Sequence, residues 1–231
     1  MRSRNIELDH VFICCAAGAP EASALSARGL IEGSGNSHRG QGTTCRRFFF
    51  SNAYLELLWV TNPREAQSEA VLPTQLWDRW QQRTSGACPF GLVFRPGSDP
   101  VPPAPFPAWS YRPPYLSGDR FIQVATGVAL AEPLLFYLPF AKRRENPHPE
   151  PITHPAGIRE IVSIRVSLPN PDSLSQAVRS VATGSLLSIG RGAEFHLDLF
   201  YAGDAATSFD LRPDLPLSFV PERRSSRKSK F

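Results

Sequence analysis

LDHVFIC (Leu8 to Cys14) and YLELLWV (Tyr54 to Val60) bound the stretch whose reading decides the fold. Both alternate and are rich in β-formers, so each reads as a strand. A period of two puts His10, Phe12 and Cys14 on one face of the first strand. In the last strand it puts Tyr54, Glu56 and Leu58 on one face and Leu55, Leu57 and Trp59 on the other. Between them, Pro20 to Gly29 opens with proline and closes with glycine, the punctuation of a short helix. Leu30 to Gly33 reads as a returning strand, Asn36 to Thr43 as a glycine-rich loop, and Thr44 to Phe50 as a strand joined to Tyr54 by a tight turn at Ser51-Asn52-Ala53. The order is strand, helix, three strands, with His10 and Glu56 placed to share a pocket. A carboxylate among so many apolar neighbours needs a partner, because burying it alone costs several kcal/mol or forces it to protonate.

Working outward, Thr61 to Trp80 reads as a polar, helical connection, and Pro89 to Arg95 as the next strand. The 23 prolines of the 231 residues gather between about 89 and 171, which argues against long helices there. Pro100 to Pro107 is an extended linker, and Trp109 to Leu116, Phe121 to Thr126 and Pro133 to Phe140 are candidate strands. Lys142 to Pro155 is a charged, proline-rich connector. Ile158 to Leu168 reads as a strand, Pro171 to Ala182 as a helix, and Glu194 to Tyr201, Ser208 to Leu211 and Leu217 to Val220 as strands. The pattern predicts a single domain over residues 5–220. It comprises a first module at 6–62, a second at 86–140 and a third, βα-rich unit at 157–220, on a weakly repeated pattern of about 55 to 60 residues.

The formal charge is +4, but the last eleven residues hold five basic groups against Glu222 alone. The body is therefore near neutral, and the 221–231 segment reads as a disordered basic tail. No nucleic-acid surface is expected on the fold itself. Four cysteines without C-x-x-C spacing fit reduced, buried thiols in a cytoplasmic protein. The first residues lack the apolar region of an export signal, and no apolar run approaches the roughly eighteen residues of a membrane span. No G-x-S-x-G elbow, H-E-x-x-H helix, phosphate loop or G-x-G-x-x-G turn is present. Serine-hydrolase, zincin and dinucleotide-binding chemistry drop out.

L-D-H-V-F at Leu8 to Phe12, H-x-G-x-G-T at His38 to Thr43, Arg46-Arg47 before FFF, and N-A-Y-L-E-L-L-W-V at Asn52 to Val60 resemble the glyoxalase-like branch of the vicinal oxygen chelate superfamily. The resemblance covers residues 6 to about 95. It implies an α+β fold in which repeated βαβββ modules form a curved, half-open mixed-sheet barrel around a small-molecule pocket. It also implies one divalent metal (zinc, nickel, iron or manganese) held by His10 and Glu56, with lyase-type or proton-transfer chemistry next to a carbonyl. A non-catalytic protein that sequesters a small ligand is the other class the superfamily offers. His10, Glu56 and His38 are the candidate catalytic residues.

The second half departs from the family pattern. If the strand at Phe90 mirrors the first, Gly91 stands near the position of His10, and only Glu132, ahead of the strand at Leu134, offers a carboxylate. If the third unit pairs with the first instead, Ser163 matches His10 and Asp198 matches Glu56, with His196 beside it. The first register is favoured, and neither completes a ligand set. A metal, a His–carboxylate pair acting as an acid–base group, and a structural pair therefore stay open for His10 and Glu56. Gly40 and Gly42 allow an anion-binding turn or a plain hairpin connection. Cys45 occupies a position where the family often has Asn. Arg46 and Arg47 point to opposite faces, so at most one of these candidate substrate-binding residues reaches the pocket. Tyr111, Arg112 and Tyr115 are candidates for binding a carboxylate or aromatic substrate. The expected partner is a small molecule, and the chain is read as a monomer or homodimer.

Overall fold

The computed structural model of the chain describes residues 6–143 and 149–222. Part of the 142–155 connector and almost all of the predicted basic tail lie outside the described residues. The first unit runs β1 (Ile6–Cys14), α1 (Ala22–Ala27), β2 (Asn36–His38), β3 (Thr43–Phe49) and β4 (Tyr54–Val60). Two short helices follow, α2 (Pro63–Ala66) and α3 (Leu76–Gln81), and then β5 (Phe90–Pro96), β6 (Ala108–Tyr111), β7 (Ile122–Ala125) and β8 (Leu134–Tyr137). The last unit is β9 (Ile158–Leu168), α4 (Gln176–Val181), β10 (Leu187–Arg191), β11 (His196–Gly203), β12 (Phe209–Asp210) and β13 (Leu217–Pro221).

The fold is mixed α+β, mostly strand. Eight strands in the order β2-β3-β4-β1-β5-β8-β7-β6 form a sheet that curls into a half barrel. β1 and β4 are parallel, β1 and β5 antiparallel, and β5 and β8 parallel, so pairing reads alike outward from the central β1–β5 seam. The last unit makes its own five-stranded sheet, β10-β9-β11-β13-β12.

Side-chain alternation sorts the curled sheet into two apolar faces. Val11, Ile13, Leu55, Leu57, Leu92 and Phe94 join Ile161, Ile164, Leu199 and Phe219 of the second sheet in one core. Phe12, Cys14, Cys45, Leu58, Val93 and Phe136 form a separate cluster on the other face. The second sheet thus covers the outside of the curl, and the inside is left to line a cavity.

Several boundaries differ from the sequence reading. Leu30 to Gly33 forms no strand. Its backbone is engaged elsewhere: Leu30 N–H bonds back to Leu25, and Ile31 N–H bonds to the His154 ring at 3.0 Å. Pairing resumes at Asn36–His38, within the segment read as a loop. The candidate strands at 109–116 and 133–140 are shorter, because Pro113, Pro114 and Pro139 lack the N–H that a ladder needs. The helix expected over 171–182 begins as a 3₁₀ turn and becomes α-helical only after Ser175, whose hydroxyl accepts from Val178 N–H at 3.3 Å. β10, with Leu187 and Ile189 alternating, was not anticipated.

Specific polar contacts lock the two sheets together. The Asn52 side chain, in the β3–β4 turn, donates to Ile161 C=O at 2.8 Å and accepts from Ile161 N–H at 3.0 Å. His154 is buried and ties the connector that leads into β9 to the first unit. Its Nδ1 accepts from Ile31 N–H, so Nε2 carries the proton and donates to Phe49 C=O at 2.7 Å. A second proton on Nδ1 would break the first of these bonds. Burial holds the His154 pKa below its ordinary value, with the bond to Phe49 opposing. The unfolded chain therefore takes up the proton first as pH falls, so stability declines below about 6.5. His154→Ala is expected to lose about 2 to 4 kcal/mol at pH 7.5. Its urea stability should also fall less steeply than the parent's between pH 7 and pH 5, with His38 supplying the remaining slope.

Candidate functional site

β1 and β4 lie side by side with His10 opposite Tyr54 and Phe12 opposite Glu56. His10 and Glu56 are therefore diagonal neighbours on the inner face. The His10 ring stacks on Tyr54, with centroids 4.3 Å apart and planes at 14°, and its Nε2 lies 3.5 Å from Glu56 Oε2. Its far nitrogen is fixed by a feature of the β1–β5 seam. Leu8 pairs with Phe94 and His10 with Val93, leaving Asp9 as the extra residue of a bulge. The Asp9 carboxylate meets His10 Nδ1 at 2.7 Å. Asp9 is in turn approached by the buried Arg95 at 3.4 Å, which also bonds Glu7 at 2.9 Å and Asn52 C=O at 2.8 Å. An ionised Asp9 only accepts, so Nδ1 donates and Nε2 faces Glu56 and the cavity.

Glu56 is 4% exposed and is the meeting point of the polar groups. The Cys45 thiol lies within 4.8 Å of it, and His38 Nε2 lies 4.0 Å from Oε1. Burial first, and then the Glu56 charge, push the Cys45 thiol far above its ordinary range. His38 Nδ1 pairs with Thr43 Oγ1 at 2.9 Å, which also accepts from the Gln41 amide at 2.8 Å. Tyr115 donates to Gln41 Oε1 at 3.3 Å, and its ring lies 4.9 Å from that of His38. Burial lowers the His38 pKa, and His10 and Arg47 add to that against the opposing charge of Glu56. His38 is accordingly a neutral imidazole at pH 7.

His10, His38, Gln41, Tyr54 and Glu56 form one end of a cavity of about 200 Å³. The remainder is lined by Phe12, Val93, Ile122, Phe136, Leu138 and Phe140, with Tyr111 and Tyr115. The Tyr111 hydroxyl is buried and has no hydrogen-bond partner among the described residues. A larger hollow, about 740 Å³, lies on the second sheet by Gly203 and Val220, but its acidic groups Asp204 and Glu222 are exposed.

Of the residues singled out from sequence, the fold brings His10, His38, Glu56, Tyr111 and Tyr115 to one cavity. Arg46 is not among them. It faces outward, ion-paired to Glu32 and bonded to Ala19 C=O at 3.1 Å. Arg47 shares the inner face, directly opposite Glu56. Its guanidinium nevertheless turns to Ser34 C=O at 2.8 Å and lies over Phe49 and Tyr54, outside the cavity lining. Arg112 is exposed and bonds Asp119 C=O at 3.3 Å. The glycine loop is no anion cradle. Gly40 N–H already donates to Glu65 at 2.6 Å, and a Cβ on Gly42 would come within 2.3 Å of Asn62 C=O. Those glycines serve close packing.

Neither register of the second half completes the family's metal pattern. Phe12 fills the space beside Gly91, Val93 is paired with His10 across the seam, and Phe136 and Leu138 line the facing wall. Glu132 points away, accepting from Ala129 N–H and Ser175 N–H. His196 and Asp198 lie on the second sheet, with His196 bonded to Ser218 at 2.8 Å. His10 Nε2 and Glu56 Oε2 are close enough to share one ion, but among the described residues the far wall gives it no imidazole, thiol or carboxylate. Asp9, Gln41, Thr43 and Cys45 are the site residues that the sequence reading missed. Asp9 has a retrospective signal, an acid beside a strand histidine, whereas Cys45 reads as an ordinary buried thiol.

No family model matches the chain, and no curated protein does. Among solved structures, that of a hypothetical protein from Staphylococcus aureus superposes with a TM-score of 0.50 at 12% identity, over 94% of this chain and 100% of that one. The likeness is one of fold.

A buried carboxylate with only loose partners, and a buried hydroxyl with none among the described residues, are held at a cost to stability. Glu56→Gln and Tyr111→Phe are each expected to leave stability unchanged or raise it by about 1 kcal/mol in urea unfolding. A loss above about 2 kcal/mol in either would mark that side chain as structural.

Proposed function

We propose that the chain is a glyoxalase-like protein of the vicinal oxygen chelate type that moves a proton next to the carbonyl of a small, largely apolar molecule. The mirrored pairing about β1 and β5 supports the two-module reading of the curled sheet. One observation carries the chemistry: His10 presents Nε2 to the cavity while a carboxylate holds Nδ1. That is the arrangement of an oriented general base. His10 accepts the proton from the carbon beside the carbonyl, and Asp9 and Glu56 stabilise the imidazolium that results. The unpartnered Tyr111 hydroxyl supplies a hydrogen bond to the oxygen on which charge develops. The apolar wall receives the rest of the substrate.

The second reading is a binding protein that holds a small aromatic or apolar ligand without turning it over. It is favoured by that same wall, where Val93, Phe136 and Leu138 stand in place of polar groups.

Proton exchange separates the two. The protein is incubated in D₂O with a panel of small 2-oxoaldehydes and α-hydroxyketones, and loss of the α-hydrogen is followed by NMR alongside ligand-detected binding. Faster exchange is expected for at least one compound, falling by about 10² to 10⁴ in His10→Ala with binding retained. Compounds that bind without exchange, or exchange that is unchanged in His10→Ala, would defeat the catalytic reading.

A further inference from the structure

We infer that the polar end of the cavity is a zinc site built from His38, Cys45 and Glu56, a ligand set distinct from the His10–Glu56 pair implied by the sequence. Three adjacent strands supply one donor each. Cys45 on β3 is paired with Asn36 of β2 and Leu58 of β4, so His38 and Glu56, two residues from those partners, project from the same face. Nitrogen, sulfur and carboxylate oxygen all lie within 4.8 Å of one another, with Cys45 and Glu56 buried. Tetrahedral zinc, with bonds of about 2.0 to 2.3 Å, needs donors roughly 3.3 to 3.8 Å apart. Side-chain rotations of about 1 Å therefore close the cluster without moving the strands.

The surroundings are those of a metal site. His38 has its Nδ1 on Thr43 Oγ1, itself held by Gln41, and this turns Nε2 toward the cluster. Outer contacts of this kind orient and tune histidine ligands. Glu56 divides its oxygens: Oε1 is the one nearer His38 and Oε2 the one nearer His10. The carboxylate can thus bind an ion through the oxygen that faces His38, away from His10. A thiolate with an imidazole and a carboxylate selects zinc over magnesium, calcium or manganese. Zinc entry displaces the Cys45 thiol proton to solvent and leaves a zinc–thiolate bond. Three protein ligands leave a fourth position open on the cavity side, the arrangement of catalytic rather than structural zinc. There the ion would polarise a carbonyl whose neighbouring proton His10 takes. That last step rests on the acid–base reading above, whereas the site itself does not.

The test uses the full chain, stripped with chelator and titrated with Zn²⁺ and Co²⁺ in the absence of any organic ligand. The expected result is one ion per chain and a thiolate-to-cobalt absorption band. Cys45→Ser should abolish the band and weaken zinc binding at least tenfold, the lower end of what loss of an outer contact alone costs. His38→Gln should weaken binding comparably, and it replaces Cys45→Ser as the deciding variant if the latter does not fold. His10→Ala should leave affinity within about twofold. Absence of stoichiometric binding, a band that survives Cys45→Ser, or zinc lost in His10→Ala but kept in Cys45→Ser would overturn the site. Proton exchange measured on the stripped protein reports on His10 separately, so either idea can fail without the other.

Discussion

β1 and β5 run antiparallel along the middle of the curled sheet, and the one extra residue in their pairing, Asp9, governs what each face carries. Without a bulge, Leu8 and His10 would share a face. With it, Leu8 joins the core against the second sheet while His10, Phe12 and Cys14 turn to the inside. The same irregularity brings the Asp9 carboxylate onto His10. A register shift of one residue would bury His10 in the main core and put apolar side chains into the cavity.

Buried arginines hold the frame on either side of that seam. Arg95, 2% exposed, gathers Glu7, Asp9 and Asn52 C=O, and so links the bulge to the turn that docks on the second sheet. Arg79 of α3 is fully buried and donates to the carbonyls of Cys88, Ala129, Leu130 and Glu132. Burial lowers its pKa, with nearby Glu132 opposing. It fixes the segment that leads into β8, hence the apolar wall facing His10. Removing either guanidinium would leave several buried oxygens without donors, a larger loss than one surface ion pair.

Long strands dense in β-formers were legible from sequence. The expected spans 54–60 and 158–168 coincide with β4 and β9. β2 was not, because three residues carry too little pattern and its neighbour Leu30 to Gly33 looks more strand-like. What keeps Leu30 to Gly33 out of the ladder is partly His154, more than a hundred residues away. The site was half legible for similar reasons. Period two gave the strand faces that carry His10 and Glu56, and it separated Arg46 from Arg47. It could not show that Arg47, on the correct face, would be drawn off by carbonyls at 34 and 35. Cys45 stayed invisible as a donor because a buried thiol looks the same in sequence whether it faces a carboxylate or a leucine.

The second sheet covers the outside of the curl, and the cavity's histidines and carboxylate come from one half of the inside. The other half contributes Val93, Ile122, Phe136 and Leu138 as shape, with the Tyr111 and Tyr115 hydroxyls as its polar groups. Those apolar positions make no hydrogen bond or ion pair through their side chains, so they can exchange for other apolar residues without disturbing Asp9, His10 or Glu56. The acid–base groups and most of the apolar wall thereby reside on separate strands. Such a division lets a lineage retune what the pocket admits while the reactive groups stay fixed.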